Sequence, residues 1–295
     1  MSRSSFLALL CAVCCAPVAS AQGSKTSSLS GSEKLILAPE GKRAFDDQLR
    51  GASGADGLGT ILPRGVPRDE VLSLVVPPGL PPEHVTLVGA VPWKGHPGAL
   101  VAVVCVGGTS STGLRVCDDG RAWLAVLERR DGRLAVVARM VTPFTPRSDW
   151  SSMGDDGPAQ SSDPGSVEDE EIGSFDLAPF LVAEGDLAFG VRTAHHEGYG
   201  GGFGYFESLH LFHVVGDRLD EILGHPIYAM TNSAGEWHED GTRDHTVTER
   251  RLVVVVERAL THGFHDLTIR DRGARTGGFV ARWDAAQGRY RVQAK

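Results

Sequence analysis

The chain has 295 residues, 41% of them hydrophobic, with 29 Lys and Arg against 37 Asp and Glu and a formal net charge of −8. This balance argues against general binding to a phosphate backbone, which needs clustered Lys and Arg, and against a polybasic membrane patch. Lys is scarce beside Arg and Asn232 is the only Asn, a bias of base composition rather than of function.

Residues 1–21 read as a signal peptide: Arg3 near the start, an apolar run from Phe6 to Val18, and small residues at Ala19-Ser20-Ala21. The run is too short to span a bilayer, which takes about 20 apolar residues, and no later stretch of the mature chain is long and apolar enough for a membrane helix. Cys11, Cys14 and Cys15 raise a lipid-anchor reading, but Leu10, Val13 and Cys14 stand where a small residue belongs. Cleavage after Ala21 removes one positive charge and no acid, so the mature net charge is −8 − 1 = −9. The expected location is periplasmic or secreted.

Residues 22–32 are Ser-rich and small, the composition of a flexible leader. The N-terminal β-rich half spans 33–145. Lys34 to Ala38 is a short strand candidate, Lys42 to Leu49 a short helix candidate, and Pro67-Arg68-Asp69-Glu70 opens a helical run to Val75 that Pro77 and Pro78 end. Strands are expected over 85–92, 99–106, 122–130 and 133–140. Ala99 to Val106 is apolar on both faces, which suits a central strand. Ala122 to Met140 reads as a hairpin turned at Asp131-Gly132.

With the signal gone, Cys105 and Cys117 remain. They flank the turn GGTSSTG in an oxidising compartment, so a disulfide between them is expected, worth about 3 kcal/mol on the loop-entropy model. Residues 146–174 carry eight acids among Gly, Pro and Ser, with Arg147 the one basic residue. Such a stretch buries too little apolar area to offset chain entropy and reads as an acidic disordered linker.

The C-terminal β-rich half spans 175–295, with strands expected at 175–182, 186–194, 207–215, 218–223, 247–257, 266–271, 277–284 and 289–294. Gly198 to Phe206 lacks the G-x-G-x-x-G spacing and no helix follows it, so a phosphate loop is not indicated. It reads as a hairpin tip whose rings Tyr199, Phe203 and Tyr205 either contact a partner or fold back on the sheet.

The hairpin at Ala122 is echoed at Leu209 to Leu223 and at Phe279 to Gln293. The repeated Gly-containing turns suggest about three four-stranded, blade-like units. Three such units do not readily close a propeller. The fold expected is therefore all-β, of antiparallel sheets, sandwich-like or a partial propeller, with a short helix near the N-terminus. The motifs Gly263-Phe264-His265-Asp266-Leu267 and Arg282-Trp283-Asp284…Gly288-Arg289-Tyr290, with Phe175 to Phe180 and Phe189 to Arg192, resemble a loose class of uncharacterised exported bacterial all-β proteins. That resemblance implies strand starts and a C-terminal hairpin. It brings no activity and no residue roles.

All eleven His lie in the mature chain, nine of them from His195 onward. His238, Glu239 and His245 are the best candidate metal ligands, in a loop without H-E-x-x-H spacing. His210 and His213, three apart in a strand, should face opposite sides. No G-x-S-x-G or S-x-x-K occurs in the mature chain. The expected function is that of a non-enzymatic envelope or secreted binding protein, with an envelope or extracellular protein as partner and no cofactor. The alternatives are a metal-dependent hydrolase using the loops 195–197 and 236–245, and a purely structural envelope protein.

Overall fold

A computed structural model describes residues 23–50, 57–80, 84–106, 121–145, 147–148, 168–169, 171–199, 201–274 and 277–294. The chain opens with a short strand, β1 (Ser24–Thr26), and two helices, α1 (Leu29–Leu35) and α2 (Pro39–Arg50). Part of the expected flexible leader is thus ordered: β1 pairs with residues 245–247 of the later sheet. The stretch expected as a strand at Lys34 lies partly in α1, whose N-cap Ser28 accepts a hydrogen bond from the Gly31 amide. A third helix, α3 (Arg68–Val75), carries Asp69 and Glu70 in its first turn and buries Val71 and Val75.

Four strands follow as an antiparallel meander: β2 (Val85–Pro92), β3 (Ala99–Val106), β4 (Ala122–Arg130) and β5 (Arg133–Arg139). The β4–β5 turn is Asp131-Gly132, both with positive φ (51° and 80°), the twist a two-residue hairpin requires. β3 lies between β2 and β4 and is buried on both faces. Ala102 and Val104 pack under Val71 and Val75 of α3. Val101, Val103 and Cys105 turn the other way, towards the rest of the molecule. Cys117 lies outside the described residues, and the Cys105–Cys117 bridge with it.

Of the expected acidic linker, residues 146, 149–167 and 170 lie outside the described residues. At its ends β6 (Arg147–Ser148) pairs with β7 (Glu168–Asp169). Six long strands then run consecutively: β8 (Glu171–Ala183), β9 (Asp186–Tyr199), β10 (Gly202–Val215), β11 (Arg218–Trp237), β12 (Arg243–Thr261) and β13 (Phe264–Asp271). Each pairs antiparallel with the next, and β13 returns to β8 at Phe264↔Ala183. The result is a closed six-stranded up-and-down barrel. Each of the six contributes to one buried apolar cluster, through Phe180, Ala188, Leu211, Ile222, Leu252 and Leu267. The hairpin β14 (Phe279–Asp284) and β15 (Arg289–Ala294) extends from β13.

The expected three blade-like units are therefore not separate. All the strands but β6 and β7 belong to one 13-stranded sheet. The echo at Leu209 is two staves of the barrel and the echo at Phe279 is its appended hairpin. Tight Gly-containing turns end any short hairpin, so their recurrence does not count units. The meander joins the barrel where Arg139 of β5 pairs with Arg218 of β11. Its inner face packs on the barrel wall through Phe189 and Phe212, whose rings stack 5.7 Å apart, and through Phe144 and Val191. At one end of the barrel, Ile36, Ala44 and Phe45 of the N-terminal helical segment cover Phe203, Tyr228, Met230 and Val247. No helix among the described residues is long and apolar enough to cross a membrane.

Candidate functional site

Side chains alternate between the two faces of a barrel stave. On β9 the odd residues Phe189 and Val191 meet the meander, so Ala188 and Arg192 turn inward. Arg192 is therefore a charge inside the barrel. Its Nε and Nη2 donate to Asp176 Oδ2 of β8 at 3.0 and 2.7 Å, and its Nη1 donates to Glu207 Oε2 of β10 at 3.2 Å. Tyr205, two residues before Glu207, donates its hydroxyl to Glu207 Oε1 at 2.6 Å. Burial works against the Arg192 charge, yet the two carboxylates hold its pKa above the ordinary value. Burial pushes Glu207 up, opposed by the Tyr205 hydroxyl and Arg192. Burial and the neighbouring Glu207 raise Tyr205 well above 10.0, so it stays a donor.

A second cluster ties the barrel to the N-terminal helices. Glu249 of β12 accepts the Tyr228 hydroxyl at 2.6 Å and the backbone amides of Leu37 and Ala38, each at 2.9 Å. Arg251 Nη2 donates to Glu40 Oε1 of α2 at 2.6 Å. Burial first, then Glu249, raises the Tyr228 pKa. A Cβ at Gly41 would collide with the Tyr228 hydroxyl and with Ile36, so glycine there lets α2 close on the barrel.

Beside this covered end, β11 and β12 project and turn through residues 238–242. Trp237, at 67% exposure, stands beside an open pocket of about 560 Å³ whose lining includes Phe203, Asn232, Thr242, Arg243 and His245. The Arg243 guanidinium sits 5.2 Å from the Trp237 ring centroid, a cation–π distance, and its Nε donates to Gly235 O at 2.9 Å. Asp240 Oδ1 accepts from the Thr242 amide and hydroxyl, which fixes the turn and lowers the Asp240 pKa. An apolar platform with polar groups around it is the make-up of a binding site.

The sequence-derived ligands do not converge here. His238 Nε2 lies 2.8 Å from Asp244 Oδ1, and that hydrogen bond and charge raise its pKa. His245 Nδ1 lies 3.3 Å from Asn232 Oδ1. Glu239 is exposed. Among the described residues no group of three or more His, Cys, Asp or Glu is arranged to hold a metal ion. His195 to Glu197 lie within β9, paired with Phe206 to Gly204, rather than in a loop. His210 and His213 have different neighbours: His210 sits 2.9 Å from Glu221 and His213 sits 3.2 Å from Asp186.

Two rings of the Gly-rich stretch, Phe203 and Tyr205, fold inward. Phe203 is 7% exposed and packs on Phe45, while Tyr205 is half-buried against His196 and Tyr228. The Tyr199 side chain lies outside the described residues. Sequence reading missed Trp237 as a platform and the interior charges of Asp176, Arg192 and Glu207. The one available signal was their placement at alternate positions with small or apolar residues, as in Gly190, Arg192 and Ala194. Comparisons with protein-family models, curated proteins and solved structures find no match to this chain.

Proposed function

We propose that the chain is an exported, non-enzymatic binding protein of the envelope or the extracellular space, and that its partner is another protein engaged at the Trp237 pocket. The observation that carries this reading is the exposed Trp237 beside an open pocket of about 560 Å³ with Arg243, Asn232 and His245 around it. An indole and a guanidinium at the edge of a concavity are the side chains that most often dominate a protein interface. The signal-like segment at residues 1–21 supports export.

The test is capture from envelope extract with wild-type protein and Trp237→Ala. Wild type should recover one partner that Trp237→Ala binds about thirtyfold more weakly, equivalent to about 2 kcal/mol. Recovery of nothing above control at several salt concentrations, or equal recovery by both proteins, would sink the reading.

A further inference from the structure

A second, smaller cavity of about 170 Å³ lies between α2 and the barrel, away from Trp237. Its polar edge is Glu40, Asp176, Arg192 and Arg251; Leu209 and Ile227 supply apolar wall. Glu40 enters from the first turn of α2 and is 8% exposed. Its Oε1 accepts from Arg251, but its Oε2 is buried with no hydrogen-bond partner among the described residues. A buried carboxylate oxygen left without a donor is costly.

The surrounding charge has one sign in excess. Glu40, Asp176, Glu207 and Glu249 are four carboxylates. Arg192 and Arg251 are the guanidiniums among them, and Arg43 of α2 adds a third on the exposed side. Arg192 is already committed to Asp176 and Glu207. What remains without a donor is Glu40 Oε2. The volume equals about five or six waters at roughly 30 Å³ each, room for a short aliphatic body against Leu209 and Ile227.

We propose that this cavity binds a small primary aliphatic amine as its ammonium ion, donating to Glu40 Oε2 with its alkyl chain on the apolar wall. A charge-assisted hydrogen bond of this kind is worth roughly twice a neutral one. Binding stands apart from partner capture at Trp237 and does not rest on it.

The probes are n-butylammonium, n-butanol and n-butyrate, which share one body and differ in charge. Calorimetric titration at neutral pH and matched ionic strength should give saturable binding of butylammonium. Butanol should bind about tenfold more weakly or less, and butyrate weaker still. Glu40→Gln should reduce butylammonium binding about tenfold with its circular dichroism unchanged, whereas Trp237→Ala should leave it intact. Three outcomes overturn the proposal: butyrate binding tightest, the three probes binding alike, or no saturable binding of butylammonium to wild type, which would mean a cavity holding water only. The ranking on wild-type protein decides the matter even if Glu40→Gln does not fold.

Discussion

The meander β2–β5 and the barrel β8–β13 are built from the same unit, antiparallel strands joined by tight turns, yet they fill their interiors differently. The meander is an open sheet with two faces to cover, and it covers them with Val, Leu and Ala: α3 takes one face and the barrel wall takes the other. The barrel has one enclosed face, and at its covered end that face holds Arg192, Asp176, Glu207, Tyr205, Tyr228 and Glu249. Burying ionised groups costs free energy unless they are paired and hydrogen-bonded, and even then an apolar filling of equal shape is often as stable. The meander is filled with apolar side chains, whereas the barrel keeps paired ionised groups beside a cavity, where an apolar filling would serve stability as well.

The largest effect should come at the contact between the two. Phe189 is fully buried where the barrel wall meets the meander, against Trp93 and Phe212. Phe189→Ala should lower the unfolding free energy by about 3–5 kcal/mol in urea titration. A change below about 1 kcal/mol would mean the two parts do not stabilise each other.

Next in size is Arg192→Met, which leaves Asp176 and Glu207 inside without their cation. It should cost about 3 kcal/mol. Replacing the whole group by Arg192→Met, Asp176→Leu, Glu207→Leu and Tyr205→Phe should return stability to within about 1 kcal/mol of wild type, because no unpaired charge remains. If the fourfold variant is as unstable as the single one, the interior charges are structural and the contrast with the meander fails.

The smallest expected effect is on pH dependence. Burial lowers the pKa of His225 and, with the adjacent His195, that of His196 below 6.5. The unfolded chain therefore takes up protons first. Stability from these groups is complete above pH 6.5 and is lost as pH falls through their lower folded values. Glu207 acts oppositely: its folded pKa is raised above 4.5, so its contribution is complete below that value and is lost as pH rises through the folded one. His225→Gln should flatten the acid slope of thermal melts, and Glu207→Gln should flatten the opposing slope. Unchanged slopes in both would remove titration from the barrel's account.

Local features of this fold are legible in the sequence. Asp131-Gly132 marks a hairpin because both residues tolerate positive φ, and Ala99 to Val106 marks a strand covered on two sides. Closure of the barrel is not legible, because it depends on Phe264 meeting Ala183, for which no local pattern exists. Strand lengths were underestimated for a related reason. β11 runs on through Pro226 to Trp237, and its polar residues read as a loop until a neighbouring stave pairs with them. Arg192 reads as solvent-facing in any single strand, since period-two alternation does not say which face is enclosed. His238 and His245 offered the right residue types for a metal, but the geometry that would join them is absent among the described residues.

The seam between β8 and β13 also sets an order of events. Five of the six pairings around the barrel join strands adjacent in the chain, whereas the sixth joins residues 264 − 183 = 81 apart. Neighbouring hairpins lose little chain entropy on forming, and a distant pairing loses more. Chain entropy thus favours local zippering of the sheet with this seam last. In that order Arg192 and its carboxylates would keep their water until the seam seals, and their dehydration would fall on the final step of folding rather than on its nucleus.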